Sequence, residues 1–427
     1  VSTVLQEKND ALSMLAENIV GSEIIKLAAE VNEKIKNGEK IYNLTIGDFN
    51  PKLFPIPSEL KKLILDAYKE DVTNYPPADG LPELRKAVSN VLRDRCGLDY
   101  PESEILIAGG ARPVIYSVFR TLVDPGDTVI FAVPSWNNNH YTYLNNAKPV
   151  VIEAGADNNF MPAAKDIAPY ITEATLLALC SPQNPTGTVF TAEGLSEICD
   201  LVLTENKRRG NTQKPLYLMY DQIYWELTYG SIKHVNPVSL RPEMRNYTVF
   251  VDGISKSLAA TGVRVGWSFG PKFIMDKMKA ILTHIGAWAP RAEQLASAKF
   301  LENTNAYNTY IQEQRSKLEQ RLRSLYVGMQ QLKKEGLAIE VIEPQAAIYL
   351  TVSFPLHGKK TSANEVLHST RDITRYLLEE AKVAIVPFYA FGATDDSSWY
   401  RLSVGTCSMD DVAGIIGNLR LALKKLN

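Results

Sequence analysis

Cysteine is scarce in this chain. Four occur in 427 residues (Cys96, Cys180, Cys199, Cys407), scattered and with no CxxC pair. They read as reduced thiols of a cytoplasmic protein and offer neither a disulfide framework nor a metal-ligand pair. No apolar run approaches the length needed to span a bilayer, and the segment Val1 to Asp10 is polar and mixed in charge, so neither a membrane anchor nor a leader is expected. An excess of one charge is also missing. With 46 Lys and Arg against 48 Asp and Glu, the net charge of −2 gives nucleic acid or an anionic membrane little to attract. The densest charged run, Glu205-Asn206-Lys207-Arg208-Arg209-Gly210, has no interleaved aromatic residues and reads as a surface loop between a helix and a strand. There is no internal repeat and no low-complexity segment. What is present, 45% hydrophobic and 22% charged residues over 427, is the composition of a globular protein long enough for two closely packed domains.

Hydrophobic periodicity predicts a helix over Glu23–Ile35, ended by Asn37-Gly38, and a short strand over Ile41–Ile46. A proline-rich loop, Gly47–Pro57, precedes helices at about Ser58–Lys69 and Leu81–Arg95. Strands and helices then alternate: Glu104–Ile107, a helix from Arg112, Thr128–Val133, Pro149–Ile152, Leu176–Leu179, a helix Ala192–Thr204, Leu216–Tyr220, Thr248–Val251 and Val265–Phe269. Short apolar strands separated by helices predict an α/β fold with a mostly parallel sheet covered on both faces. A long charged helix, about Tyr310–Lys334, leads into strands Ile339–Ile342, Ile348–Val352 and Trp399–Val404 with helices Glu365–Ala381 and Asp410–Lys425. That is a smaller α+β unit.

Chemistry-bearing residues follow several of these strands. Lys256, in Gly253-Ile254-Ser255-Lys256, lies just past the apolar run Val249-Phe250-Val251, and Arg264 and Gly266 follow within ten residues. One amine suited to covalent chemistry and one guanidinium fork suited to a phosphate stand close together in sequence. Ala108-Gly109-Gly110-Ala111-Arg112 joins a strand to a helix, where free backbone N–H groups and the helix dipole attract an anion. Ser181-Pro182-Gln183-Asn184-Pro185-Thr186-Gly187 and Tyr220-Asp221-Gln222-Ile223-Tyr224 both follow buried strands. Taken alone, the first is a turn and the aspartate of the second a helix cap. Arg401, in the apolar strand Tyr400-Arg401-Leu402-Ser403, is costly to desolvate without an anionic partner.

These segments, in this order, resemble the class I/II aminotransferases (aspartate aminotransferase-like) of the pyridoxal 5'-phosphate (PLP) fold-type I group, and the resemblance covers nearly the whole chain. It implies a three-layer αβα large domain over 58–310 and a discontinuous smaller domain from 1–57 and 311–427. It implies PLP held covalently by Lys256, with Asp221 beside the pyridine nitrogen. Asn184 and Tyr224 would donate to the phenolic oxygen, and Trp136 would stack on the ring. The phosphate would be cradled by Gly110, the amides of Ala111 and Arg112, Ser255 and Arg264. Arg401 would bind the substrate α-carboxylate, with Gly47 closing over it and Asn184 nearby. Tyr75, in Asn74-Tyr75-Pro76, would reach the neighbouring active site of a homodimer. Asn139 or His140 would support Asp221 from behind.

Two departures from the family pattern stand out. Gly253 replaces a frequent serine, and Asp48-Phe49-Asn50 replaces a commoner Glu-Pro-Asp in the lid. The expected activity is transfer of an amino group from an L-amino acid to a 2-oxo acid by ping-pong kinetics, with aspartate, glutamate or aromatic amino acids as donors. A carbon–sulfur lyase or an aminocyclopropane-carboxylate synthase would use the same lysine, aspartate and asparagine. A PLP-binding regulator would need a helix-turn-helix module, for which the segment ahead of the first family-like helix is too short. For a side-chain carboxylate the available cations are Arg112 and Arg291; Trp136, Trp225, Phe388 and Tyr389 offer an aromatic pocket instead.

Overall fold

A computed structural model describes residues 12–21 and 23–427. Its largest sheet has seven strands: β2 (Ile105–Ala108), β3 (Thr128–Val133), β4 (Lys148–Glu153), β5 (Ala174–Cys180), β6 (Tyr217–Asp221), β7 (Thr248–Gly253) and β8 (Gly266–Phe269). The order is β2-β8-β7-β6-β5-β3-β4. Strands β3 to β7 run parallel, and only β8 runs antiparallel to its neighbours β7 and β2.

The period of two along each strand divides its side chains between two covered faces. Ile130, Leu177, Leu179, Leu218 and Tyr220 enter one core beneath the helices Ser58–Lys69, Pro82–Val91, Ala192–Arg209 and Arg291–Glu302. Val129, Phe131, Leu176, Ala178 and Met219 enter another beneath Ala111–Leu122 and Lys272–His284. The result is the expected three-layer α/β arrangement. Six strands (β2 to β7) end on one side of the sheet, and the segments that follow β2, β3, β5, β6 and β7 converge there, as ligand-binding loops do in open parallel sheets.

A further core joins both ends of the chain. Leu44, Phe49 and Phe54 pack with Leu318, Leu322, Leu350, Ile373 and Leu419. The small sheet has the order β12-β13-β10-β9, formed from β9 (Glu340–Val341), β10 (Tyr349–Ser353), β12 (Val386–Pro387) and β13 (Trp399–Ser403). The predicted strand Ile41–Ile46 shrinks to β1 (Tyr42–Asn43), because its only ladder is with the two-residue β11 (Val383–Ala384). Among the described residues no helix is long and apolar enough to cross a membrane, and no group of three His, Cys, Asp or Glu could hold a metal ion.

The run Glu205–Gly210 is not a surface loop. It continues the helix Ala192–Arg209, and Gly210 ends it at φ 54°. Arg209 turns inward: its Nε donates to Glu205 Oε1 at 2.6 Å, and its Nη atoms donate to the carbonyls of Lys214 and Ala174 at 2.8 and 2.7 Å. Counting charges hid this, because the guanidinium satisfies carbonyls at the base of β5 rather than facing water. Arg208 still pairs with Glu205, so Arg209→Ala chiefly leaves the buried carbonyls of Lys214 and Ala174 without their donor and should lower unfolding stability by about 1–3 kcal/mol. Urea denaturation checks it; a change under about 0.5 kcal/mol would restore the surface reading.

Candidate active site

The converging strand ends enclose a cavity of about 620 Å³, lined by residues that include Lys256, Asp221, Tyr224, Asn184 and Arg401. The sheet register explains the meeting. Cys180 at the end of β5 pairs with Asp221 at the end of β6, and Asp221 pairs with Val251 on β7, which runs on through Gly253 to Lys256. The Lys256 Nζ donates to Gly47 O at 2.7 Å and lies 5.6 Å from the Tyr224 ring centre. Burial pulls its pKa down to about 8; Asp48 opposes this, while Arg401 and Arg112 add to it. Asp221 moves the other way, raised by burial to about 6 although the Ile223 N–H and Lys256 favour its ionised form. Its Oδ1 accepts from the Ile223 N–H at 3.0 Å.

Arg401 is 2% exposed and is among the largest fully buried side chains. Its Nη1 donates to Asn184 Oδ1 at 3.1 Å and its Nη2 to Thr45 O at 2.5 Å, while Nε has no partner. The guanidinium lies against the rings of Tyr349 and Phe391, at 4.8 and 4.9 Å. Because Arg401 occupies the Asn184 carbonyl oxygen, the amide N–H groups of Asn184 remain available as donors. The Tyr224 hydroxyl is 2.6 Å from that of Tyr349, and burial raises the pKa of both.

Arg264 is held at φ 61°. It donates to Thr261 O and Gly109 O, each at 2.8 Å. A Cβ on Gly110 would lie 2.3 Å from Arg264 Nη2, so only glycine allows the guanidinium to approach the start of the helix Ala111–Leu122. Ser255 lines the same cavity, and the Arg112 guanidinium lies 4.5 Å from the centre of the Trp136 ring. None of Arg112, Arg264 and Arg401 has an acidic partner among the described residues. Three guanidinium groups and a helix N-terminus thus face one cavity that holds only Asp48 and Asp221 as acids. Such a cavity suits ligands with more than one anionic group.

The family model for aminotransferase class I and II matches residues 39–419. The chain belongs to that family. It is 30% identical over 399 residues to the aspartate aminotransferase of Geobacillus stearothermophilus, covering 92% of this chain and 94% of that one. The crystal structure of the Rhizobium meliloti aspartate aminotransferase superposes with a TM-score of 0.89 at 26% identity, covering 97% and 99% of the two chains. The Thermus thermophilus aspartate aminotransferase with maleate gives 0.84 at 25% identity, covering 96% and 99%. This aminotransferase therefore moves an amino group between an amino acid and a 2-oxo acid.

Not every residue singled out from sequence reaches the cavity. Tyr75 is 79% exposed and packs edge-on against Trp288 at 5.2 Å. Arg291 donates to the Tyr75 carbonyl at 3.0 Å and does not line the cavity, so of the two candidate cations only Arg112 faces it. Trp225, Phe388 and Tyr389 also lie elsewhere; Trp225 faces Arg95, and Phe388 packs on Phe160. Neither Asn139 nor His140 hydrogen-bonds to Asp221. The helix Asn138–Leu144 begins early enough to expose Asn139 and to turn Asn137 and Asn138 toward the cavity. Gly253 is not simply a lost hydroxyl. A Cβ there would lie 2.8 Å from Gly266 Cα, so a side chain would push β7 from β8. Asp48, in the altered lid, accepts from the Thr261 hydroxyl at 2.7 Å and so ties that lid to the lysine loop.

Sequence reasoning missed Tyr349, and Ile24 and Ile25 at the cavity lining. No motif marks Tyr349; only its place on a strand beside Arg401 could have drawn attention to it.

The depressed lysine pKa has a stability consequence. Below about pH 8 the amine is charged in both the folded and unfolded chain, and the fold bears the full desolvation cost. From about 8 toward the ordinary value near 10.4 the folded amine loses its proton first and the cost fades. In protein stripped of ligand, Lys256→Met should therefore stabilise the fold by about 1–3 kcal/mol at about pH 7 and by clearly less at about pH 10. Chemical denaturation at the two pH values checks this; a pH-independent gain would contradict the buried, perturbed amine.

Proposed function

We propose that this cavity binds PLP and uses it to transaminate acidic amino acids. The residues present fit the cofactor. The Gly110 cradle that a Cβ would fill, the acid-free Arg264 and the start of the helix Ala111–Leu122 together suit a phosphate monoester. When bound, PLP supplies an aldehyde that captures amines and a pyridine ring that accepts electrons from the substrate Cα. Lys256 is the residue that holds it covalently and, once freed, takes the Cα proton at Nζ and gives it back as an acid. An amine with a pKa of about 8 is suited to both directions near neutrality.

Asp221 holds the proton at the ring nitrogen. Asn184 and Tyr224 donate to the phenolic oxygen, and Trp136 covers the ring and excludes water. Arg401 takes the α-carboxylate, the anion that its unpartnered Nε and its lack of an ion pair among the described residues call for. Donor amino acid and acceptor oxo acid compete for this one arginine, so they occupy the site in turn, which is ping-pong order.

We further propose that the partner subunit of a homodimer receives Tyr75, a reading supported by its exposure, and that the chain divides at 58–310 against 1–57 with 311–427. The latter division is supported by the core that both chain ends share.

The observation that carries the acidic-substrate reading is the charge left over. Once Arg264 is matched to phosphate, Arg401 to the α-carboxylate and Asp221 to the ring nitrogen, Arg112 and Asp48 remain. The Asp48 Oδ1 already accepts from Thr261 Oγ1 and the Phe49 N–H, whereas Arg112 has only the face of Trp136. A second carboxylate on the substrate would fill that place. The relatives described above are aspartate aminotransferases, which agrees with this.

The test is a panel of donors against 2-oxoglutarate with PLP-loaded protein. Wild type should prefer aspartate and glutamate to leucine and phenylalanine, and Arg112→Leu should lower kcat/KM for the acidic donors by about 10- to 100-fold, the worth of a charged hydrogen bond. The neutral donors should change by less than about threefold. Equal losses for all donors would assign Arg112 to the cofactor instead.

A further inference from the structure

Gln222, next to Asp221, is fully buried in a polar chain that the catalytic roles above do not use. Its backbone N–H donates to Val251 O at 3.0 Å. Its side-chain amide donates to Asp252 Oδ2 at 3.2 Å, and Asp252 Oδ1 accepts from the Gly253 N–H at 2.7 Å. On its other side, Gln222 Oε1 lies 3.3 Å from His234 Nε2. The chain thus crosses from the end of β6, which carries Asp221, to the end of β7, which leads through Gly253 to Lys256.

The charges around it are crowded. Asp221, Asp252 and Glu226 are acids in one buried region. Arg95 is engaged by Glu226 at 2.8 Å, and Tyr307 also donates to Glu226. Burial keeps Cys96 and Tyr307 protonated and drives His234 down to about 3, so all three are neutral at working pH. Lys256 is the other cation nearby, and it belongs to the chemistry. Asp252 therefore has no cation of its own, and burial holds its carboxyl well above the usual range. A neutral amide at 222 gives it a donor without adding another charge.

We propose that Gln222 and Asp252 are positioning residues whose amide–carboxylate pair fixes the spacing between Asp221 and Lys256, and that the pair works because one member is an uncharged amide. This rests on the PLP reading of the cavity. Gln222→Glu sets two carboxyl groups face to face to share one proton, which brings a new ionisation into the working range. Combining it with Asp252→Asn reverses donor and acceptor and restores the pair.

The experiment compares PLP-loaded wild type, Q222E, the Q222E/D252N double variant and Q222M, reading kcat, KM and the pH midpoint of the visible absorption band. Q222E is expected to lose about tenfold or more in kcat at about pH 9 with recovery at about pH 6, to keep KM within about threefold, and to move the band midpoint by about one unit. The double variant should return to within about threefold of wild type in kcat with the original midpoint, and Q222M should lose kcat without the pH dependence. Wild-type midpoints in both Q222E and Q222M, or a double variant no better than Q222E, would overturn the proposal. Should Q222E not fold, the double variant and Q222M decide by the same readings. A wild-type protein that shows no visible band after loading would instead overturn the cofactor reading on which this rests.

Discussion

Desolvation of the Lys256 amine sets the terms for everything around it. An ammonium ion removed from water is costly, and here burial lowers its pKa to about 8, so the amine is still charged at neutrality but gives up its proton far more readily than a free lysine. The amine sits past the end of β7, bonded to the Gly47 carbonyl, with the charges of Arg401 and Arg112 pressing against its protonation. Asp221 provides the complement: the same burial that favours the free amine raises the carboxyl to about 6, low enough to remain ionised near neutrality. The parallel sheet delivers both groups to one edge through a register shared by three adjacent strands.

Around that pair the cavity is cationic beyond its own acids. Arg112, Arg264 and Arg401 face it without acidic partners among the described residues, and the helix Ala111–Leu122 begins beside them. A fold that leaves three guanidinium groups uncompensated gives up stability for affinity toward anions, and Arg401 shows this most plainly, fully buried with an unpartnered Nε. In the proposed reading the ligands supply those anions: the phosphate of PLP, an α-carboxylate and, for acidic substrates, a second carboxylate.

Much of this was legible in the sequence because the chemistry sits on strand ends. Thr128–Val133 is a continuous apolar run and forms the strand β3 with those bounds, and the residues read from the loops after β2, β3, β5, β6 and β7 meet in one cavity. Reading failed where a residue's role comes from a distant partner. Arg209 looks like surface charge until Ala174 O and Glu205 are placed beside it. Tyr349 has no motif and acquires its place only through Tyr224 and Arg401. Asn139 and His140 miss the cavity because the helix Asn138–Leu144 directs Asn138 inward and leaves Asn139 outside. Gly253 reads as a missing hydroxyl by analogy, yet geometry makes it the residue that lets β7 approach β8.

The central claim is that Lys256 and its neighbours move an amino group rather than eliminate one. A single half-reaction tests it most directly: PLP-loaded protein is mixed with L-aspartate in the absence of any oxo acid. The account predicts about one equivalent of oxaloacetate per active site, a shift of the visible band, and then arrest until 2-oxoglutarate is added. Continuous release of ammonia, or full product formation by Lys256→Ala, would contradict it.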